Sequence, residues 1–302
     1  MPVTTTTSID QAVERYLAES RYTLQERPGV IWRNIRSETL PENEGPSVRI
    51  PKFGTVTTYA LTEGVDMAQA QEITDTAMNI TPAEFGAQVV LSDMMLMTVR
   101  DDFMRVAGRI LGDSFDRQRE QTLSDDLDSF SVALGSAGTA LNIGHLMAAH
   151  ASVKYTAPAN GTAGRGGEPA PDPINAFLTP AQIHSLRKTL AGGVGAAAAT
   201  QISPETERMG RVEGSFTIDG IPGLTVNSSI NINKDTSDDA KGGVLSKEAL
   251  IGVQLGDGPD VEKERDASLR AYELNFVGRW ARGEYDDDWG REMLFDSALP
   301  TS

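Results

Sequence analysis

The sequence predicts an α+β fold, and three features carry this prediction. A β-like pattern extends from Val48 to Leu91, an amphipathic helix follows it, and the C-terminal part alternates apolar and polar residues as strands do. The chain has 302 residues, of which 39% are hydrophobic and 23% charged. A chain of this length and composition can build one large core or two modest ones.

The first 46 residues are predicted to form a helix, a short strand and a linker. The helix covers Ile9–Leu24 and is ended by Pro28. Val30–Ile35 is a strand candidate, and Leu40–Pro46 is rich in Pro, Glu and Gly, as linkers are.

The stretch from Val48 to Leu91 is predicted to be a long two-stranded excursion. β-branched and aromatic residues stand at both of its ends, whereas its middle, Thr62–Glu72, is polar and contains Gly64. A two-stranded ribbon is marginally stable alone in water, so we expect a neighbouring molecule to hold the distal part.

One unusually long helix is predicted to start at Ser92 or Asp93, to bend at Gly112 and to reach about Ser131. Apolar residues recur at three- and four-residue steps and define the stripe expected to be buried: Met95, Val99, Phe103, Val106 and Ile110. Beyond Gly112 the apolar face is predicted to continue through Phe115, Leu123, Leu127, Phe130 and Leu134. The opposite face, which includes Arg119 and Glu120, is densely charged and is expected to be solvated.

Beyond Gly135 the sequence predicts short elements of mixed type. Helices are expected over Leu141–Val153 and, after Thr179-Pro180, over Ala181–Leu190. The remaining expectations are a hairpin around Asp219-Gly220, a polar loop over Asn231–Gly243, a short helix and a strand within Val244–Leu255, and strands over Leu269–Trp280 and Glu284–Phe295.

The composition excludes several classes of function. The chain has no cysteine, which rules out disulfides, thiolate metal sites and cysteine nucleophiles. Its formal net charge of -16 disfavours sequence-independent DNA binding. No apolar run is long enough to cross a bilayer, and residues 1–10 lack the parts of a secretory signal, so we expect a soluble protein without membrane partners.

No catalytic constellation is visible, so we expect no enzyme activity, no catalytic residue and no cofactor. A phosphate-binding loop, a dinucleotide-binding glycine motif and a Gly-x-Ser-x-Gly elbow are all absent, and Gly135–Gly138 has the wrong spacing. His145 and His150 are five residues apart and do not share a helix face, so they and His184 are predicted to be ordinary helix histidines.

Three further clusters contain residue types that are found in binding sites. The acidic run Asp286, Asp287 and Asp288 is predicted to form a turn and solvated edge, although a divalent ion prefers such clustered oxygens. The series Asn231, Asn233 and Asp235 imitates a calcium loop but lacks the glycine and glutamate that the loop requires. The methionines Met94, Met95 and Met97 are predicted to fill the core.

The order of these elements and two stretches of residues resemble the Hong Kong 97-type fold of tailed-bacteriophage major capsid proteins. The first stretch contains Pro51-Lys52-Phe53-Gly54, Leu61-Thr62-Glu63-Gly64 and Thr81-Pro82-Ala83-Glu84-Phe85-Gly86. The second contains Glu264-Arg265-Asp266-Ala267-Ser268-Leu269-Arg270-Ala271 and Tyr285–Trp289. No single motif suffices, but the two stretches stand in the order that the family has, and the resemblance covers close to the whole chain.

The resemblance implies five regions. They are an N-terminal arm over 1–45, an extended β-hairpin loop with its flanking strands over 46–91, and the spine helix of a peripheral domain over 92–134. They continue with an axial domain over 135–258 and C-terminal strands of the peripheral domain over 259–302. Residues near 57–72 would form the loop tip, which lies across a neighbouring subunit.

The implied function is self-assembly into the icosahedral head that encloses double-stranded DNA. The implied partners are other copies of the chain in hexamers and pentamers, a portal protein, and scaffolding or decoration proteins, with packaged DNA held without specific binding. The implied location is the virion, after assembly in the host bacterial cytoplasm. Lys52 is the only lysine of the excursion and lies at its base, which argues against a cross-link through the tip.

Two other functions remain open at this point. An encapsulin-like compartment shares the fold and would enclose cargo proteins instead of DNA. An α+β hydrolase, or another enzyme with an unrecognised site, would be a monomer or small oligomer.

Overall fold

The computed structural model describes residues 29–41, 45–54, 56, 58–64, 66, 70–98, 103–155, 169–192, 215–217, 221, 223–256 and 259–300. The predicted helix over Ile9–Leu24 and the turn Asp219-Gly220 lie outside these ranges. The described chain is α+β, as predicted.

Five helices are present in the described ranges. They are α1 (Val30–Asn34), α2 (Asp93–Thr98), α3 (Phe103–Leu127), α4 (Ile143–Lys154) and α5 (Pro180–Gly192). The caps that the sequence predicts are in place. Ser92 Oγ accepts a hydrogen bond from the Met95 amide, and Thr179 and Gln182 exchange hydrogen bonds between side chain and backbone at the start of α5.

The strands form three sheets. In chain order they are β1 (Arg36–Leu40), β2 (Val48–Phe53), β3 (Asp75–Ile80), β4 (Ala83–Ser92), β5 (Ala133–Gly135), β6 (Ile174–Leu178), β7 (Ser215–Thr217), β8 (Leu224–Ser228), β9 (Asp239–Ser246), β10 (Leu250–Leu255), β11 (Asp260–Asp266), β12 (Ala271–Glu284) and β13 (Gly290–Asp296). A 3₁₀ turn over Asp287–Trp289 joins the last two.

A five-stranded sheet is built around β12. Its order is β1-β10-β12-β11, and β4 also pairs with β12. With 14 residues, β12 is long enough to pair with β11 at its start and with β10 at its end, while β4 lies antiparallel along Ala271–Trp280. The alternation seen in the sequence places Leu274 and Phe276 in the core, as predicted.

A six-stranded sheet has the order β5-β13-β9-β6-β8-β7, and β2 and β3 form a separate two-stranded ribbon. The ribbon register pairs Val48 with Ile80 and Phe53 with Asp75. The predicted two-stranded excursion is therefore confirmed for these strands, and β4, which follows them, belongs to the five-stranded sheet.

Helix α3 packs on both large sheets. Near its start, Leu111 and Phe115 pack with Leu274 and Phe276 of β12. Near its end, Leu123 and Leu127 join a second cluster with residues of β6, β9 and α1. The approach to β12 is close: a Cβ atom at Gly278 would collide with the Phe115 ring, so the absent side chain leaves room for that ring.

The predicted apolar face of the long helix is one residue out of phase at Val106 and Ile110 and correct beyond Gly112. Among its predicted members, Phe115, Leu123, Leu127 and Phe130 are buried. Val106 is only half-buried and Ile110 is 41% exposed, whereas Ala107 and Leu111 are 3% exposed. Helix α3 also ends at Leu127, before the predicted Ser131, and Gly112 lies inside it. Both stripes satisfy a period of 3.6 residues, so periodicity alone does not select between them.

Three local predictions are wrong. Val30–Ile35 is not a strand, because Val30–Asn34 forms a helical turn that buries Ile31 and Ile35. The polar loop over Asn231–Gly243 is shorter than predicted, since β9 begins at Asp239. No helix follows it: β9 and β10 are joined by a turn in which Ser246 Oγ donates to the Pro171 carbonyl, and their side chains are buried almost throughout.

The position of the stripe can be tested with two adjacent substitutions. We expect Leu111→Asp to lower the free energy of unfolding by more than about 4 kcal/mol, because it places an unpaired charge in the core. Ile110→Asp is the control and should change it by less than about 1 kcal/mol, because its side chain faces solvent in the subunit. Urea unfolding followed by circular dichroism measures both, and equal losses would contradict the assignment.

Candidate functional site

Exposed apolar side chains are concentrated in the tip of the excursion, residues 54–74. In its described part no strand forms, and four large apolar residues are between 52% and 67% exposed: Val56, Tyr59, Leu61 and Ile73. The tip contains Glu63, Asp66 and Glu72 but no Lys or Arg. It is thus an acidic surface with an apolar content that its own subunit does not cover.

The base of the excursion is fixed to its own subunit. Ile50 and Ile80 are buried in a cluster with Leu40, Ile251 and Val253. Lys52 Nζ lies 3.9 Å from Asp286 Oδ2 and 4.5 Å from the centroid of the Tyr285 ring. The base of the excursion is therefore packed on its own subunit, whereas the tip is exposed. Lys52 belongs to the base and contacts Asp286 and Tyr285 there.

A second apolar surface lies at the start of α2. Met95 is fully buried, but Met94 is 67% and Met97 83% exposed, so the prediction that all three methionines fill the core is right for Met95 alone. The neighbouring turn between β11 and β12 exposes Leu269 as well. The Asp93 amide donates to the Arg270 carbonyl at 2.8 Å, which fixes this turn beside α2.

The edge strand β11 separates its charges by face. Its even-numbered residues are all acidic: Asp260, Glu262, Glu264 and Asp266. The opposite face carries Val261, Lys263 and Arg265, and both cations lie over the Tyr272 ring, at 4.4 and 5.5 Å from its centroid. In the described chain β11 pairs with β12 alone, so its other edge is open. Two copies joined through that edge about a two-fold axis would place acid opposite acid and base opposite base, which disfavours such pairing.

The chain enters the described fold through a clasp between α1 and α3. Glu120 is 1% exposed, and its two carboxylate oxygens accept the Ile31 and Trp32 amides at 2.8 and 3.0 Å. The Arg119 guanidinium lies 4.5 Å from the centroid of the Trp32 ring. The prediction that Glu120 lies on a solvated face is wrong, because the short helix α1 covers it and residue spacing alone does not reveal that contact.

This clasp limits the predicted N-terminal arm. Residues 29–40 pack within the subunit, since Ile31 and Ile35 are buried and β1 is a parallel edge strand on β10. Within the predicted arm over 1–45, residues 29–40 therefore contact their own subunit.

The acidic run forms the turn that was predicted and contacts its own subunit. Asp286 Oδ1 accepts the Asp288 amide at 3.2 Å, and Asp287 Oδ1 accepts the Ser131 amide at 2.8 Å. Among the residues that the structure describes, no three or more His, Asp or Glu side chains are grouped to hold a metal ion.

The three histidines lie in two different helices. His145 completes the capping of α4 with Asn142, and its ring lies 4.7 Å from the Phe295 ring between centroids. His150 is in the same helix and His184 in α5. Within the described ranges, no helix is both long and apolar enough to cross a membrane.

Solved structures share this fold at low sequence identity, although no family model and no curated protein matches the chain. The capsid of Helicobacter pylori bacteriophage KHP30 matches with a TM-score of 0.67 and 10% identity over 98% of each chain. The capsid of cyanophage P-SCSP1u matches with a TM-score of 0.64 and 14% identity over 94% of this chain and 93% of its own. The SrpI encapsulin of Synechococcus elongatus matches with a TM-score of 0.62 and 11% identity over 100% of this chain and 99% of its own. The predicted capsid-type fold is thereby confirmed, and an encapsulin has it too.

The clasp yields a stability prediction. We expect Glu120→Ala to lower the free energy of unfolding by about 2–3 kcal/mol, because it leaves two buried backbone donors without an acceptor. Gln121→Ala, at the exposed neighbouring position, should change it by less than about 0.5 kcal/mol. Urea titration compares the two variants, and similar effects would show that the clasp contributes nothing specific.

A second prediction concerns pH. Burial raises the pKa of five carboxyl groups, those of Asp116, Glu120, Asp126, Glu284 and Glu292. Between their ordinary and raised pKa values the folded state binds more protons than the unfolded state, so the free energy of unfolding should rise as the pH falls from 7 towards about 5. The exposed Asp266, whose pKa is lowered by hydrogen bonds from Ser268, acts in the opposite direction.

Urea midpoints at pH 7 and pH 5 measure this dependence. Glu284→Gln removes one of the five groups, so the gain on acidification should become smaller in that variant. A midpoint that falls between pH 7 and pH 5 in the unsubstituted protein would contradict the prediction.

Proposed function

We propose that the chain is the major capsid protein of a tailed bacteriophage and assembles with copies of itself into the icosahedral head around double-stranded DNA. The observation that carries this proposal is the excursion tip, in which Val56, Tyr59, Leu61 and Ile73 are exposed on a ribbon whose base is firmly packed. The capsid-type fold supports it. No enzymatic activity is part of the proposal.

The physical argument concerns the cost of ordering the tip. Fixing a segment of about twenty residues costs conformational entropy of about 1–2 kcal/mol per residue, and an isolated tip recovers little of it through burial. Burial of its apolar side chains on a neighbouring subunit offsets that cost only in the assembled state. A surface of this kind is therefore expected in a protein that is completed by copies of itself.

The proposal extends to regions and partners. Residues 1–45 serve as the N-terminal arm, of which 29–40 also pack on their own subunit. Residues 46–91 serve as the extended loop, 92–134 as the spine helix, 135–258 as the axial domain and 259–302 as the closing strands of the peripheral domain. The chain forms hexamers and pentamers, which bind a portal protein. They also bind scaffolding or decoration proteins where the phage has them. The net charge of -16 suits a shell that encloses DNA without binding it tightly. In this proposal the shell assembles in the bacterial cytoplasm and is part of the virion.

An encapsulin-like compartment is the second candidate, because the SrpI encapsulin matches the chain over its whole length. The two candidates differ in what the shell encloses. Nucleic acid inside particles from the native source supports the capsid, whereas a protein cargo supports the compartment.

Electron microscopy of the purified protein tests the proposal most directly. We expect closed shells of several hundred ångströms. A monomer that persists under all concentrations and salt conditions would contradict both shell functions.

Assembly should depend on the apolar character of the tip. We expect Leu61→Asp to abolish or strongly reduce shell formation while leaving the urea midpoint unchanged, because Leu61 is 65% exposed in the subunit. Leu61→Met is the matched control, since it keeps an apolar side chain and should still assemble. Sedimentation velocity measures the fraction of the protein that is in shells. Normal assembly by the Asp variant would refute the role of the tip.

A further inference from the structure

Carboxyl groups from two neighbouring elements contact the connection between α3 and β5, residues 128–132. Glu284 ends β12, and Asp287 lies in the 3₁₀ turn that follows. Asp287 Oδ1 accepts the Ser131 amide at 2.8 Å, and Glu284 Oε2 lies 3.3 Å from Ser129 Oγ. The position of this connection therefore depends on side chains that can gain or lose a proton.

The two contacts of Ser129 Oγ favour a protonated Glu284. The hydroxyl has one proton to donate, and its shorter contact is to the Asp126 carbonyl, at 2.7 Å. A carbonyl oxygen only accepts, so this contact uses the proton. The longer contact, to Glu284 Oε2, becomes a full hydrogen bond when Glu284 is protonated and donates to the hydroxyl.

Glu284 also faces a second carboxyl group. The side chain of Asp287 lies within hydrogen-bonding reach of it, so the two groups repel each other when both are ionised and can bond when one holds a proton. Burial raises the pKa of Glu284, the charge of Asp287 raises it further, and the Ser129 hydroxyl partly opposes them. Glu284 therefore binds a proton more readily in the folded chain than in the unfolded chain.

The cations near Glu284 are engaged with other groups. Arg282 pairs with Asp126, which is a further carboxylate close to Glu284. The Arg291 guanidinium donates to the backbone carbonyl of Asp288 at 3.0 Å. Within the described surroundings of Glu284, neutralisation of its charge is therefore left to a proton.

A second pair of carboxyl groups lies at the start of the connection. Lys241 Nζ in β9 is 2.5 Å from Asp128 Oδ1 and 3.9 Å from Oε1 of Glu292 in β13. Glu292 is only 8% exposed, and burial together with the Asp128 charge raises its pKa, whereas Lys241 lowers it. One ammonium group thus serves two carboxyl groups, so a proton on Glu292 removes the uncompensated charge and adds a donor towards Asp128.

We propose that the connection over 128–132 is a proton-dependent latch. Protonation of Glu284 creates a donor for Ser129 Oγ or Asp287, and protonation of Glu292 creates a donor for Asp128. The connection is then held more firmly at mildly acidic pH than at pH 7. This inference goes beyond the proposed function and does not depend on it.

The latch lies where α3 meets the six-stranded sheet. β5 follows the connection directly and pairs with β13 in a register that sets Ala133 beside Glu292. The Glu292 amide also donates to the Val132 carbonyl at 3.0 Å. A firmer connection therefore restrains the end of the helix relative to this sheet.

Hydrogen exchange of the full chain, read by mass spectrometry of its peptides, tests the proposal. Exchange is compared at pH 7 and pH 5 after correction for the intrinsic chemical rates. We expect the protection of a peptide covering 128–134 to rise about five-fold at pH 5, the effect of roughly one hydrogen bond.

The turn between β11 and β12, residues 266–270, is the internal reference. Its Ser268 and Leu269 amides donate to the Asp266 carboxylate, much as the Ser131 amide donates to Asp287. Hydrogen bonds lower the pKa of Asp266, so this carboxylate stays ionised at both pH values and the protection of the turn should not change.

Matched substitutions assign the effect to the two carboxyl pairs. Replacing both Glu284 and Glu292 by Gln supplies a donor at every pH. The peptide over 128–134 should then be as protected at pH 7 as the unsubstituted protein is at pH 5, and it should lose its pH dependence. Glu273→Gln, elsewhere in β12, should keep that dependence. Ser129→Ala, at an exposed position, removes one acceptor and should reduce the gain.

Three results would overturn the proposal. Protection of 128–134 that rises no more than that of 266–270 would show that the connection does not respond to protons. Undiminished pH dependence in the double Gln variant would assign the response to other groups. An undiminished gain in Ser129→Ala would do the same, and this variant decides where the double variant does not fold. All comparisons are made within one preparation, so they do not depend on whether shells form.

Discussion

The structure depends on one helix that takes part in two hydrophobic cores. Helix α3 packs Leu111 and Phe115 against the five-stranded sheet and Leu123 and Leu127 against the region around β6 and β9. With 25 residues it is about 37 Å long, enough to reach both. Because the helix is stiff over this length, it fixes the position of the two sheets relative to each other. The elements that pack on either sheet are thereby positioned as well.

Helix α1 and the base of the excursion are both attached to α3 or to the five-stranded sheet that packs on it. The Glu120 clasp sets α1 on α3, and Trp32 then packs on Trp280 of β12. The excursion attaches through Ile50 and Ile80 to β1 and β10 of the same sheet. The start of the described chain and the base of the excursion are thus both anchored on the five-stranded sheet. The burial of Glu120 has a cost, seen in its raised pKa, and the two backbone amides offset part of it.

The sequence predicted the order of elements well, because period and caps are local properties. The ribbon of β2 and β3, the Ser92 cap and the start of α5 follow from alternation and from hydroxyl residues at the correct positions. The phase of the long helix was predicted correctly at Leu123 and Leu127 but not before Gly112. There Ile110 satisfies the same period as Leu111, and only tertiary packing distinguishes them. Glu120 was missed for a similar reason: a charged residue is ordinarily solvated, and its partners lie about ninety residues away in the sequence.

The surface shows where contact with other molecules is favoured and where it is opposed. The open edge of β11 exposes backbone groups that could pair with a strand of another molecule. Its acidic and basic side chains lie on opposite faces, so symmetric pairing of two copies would be repulsive. The excursion tip offers apolar side chains instead and little regular backbone. Apolar contacts of this kind are individually weak and depend on shape, so they form only where a neighbour presents a complementary surface. If the proposed function is correct, a subunit that disfavours pairing through β11 and exposes an apolar tip can remain separate at low concentration and still assemble in a defined geometry.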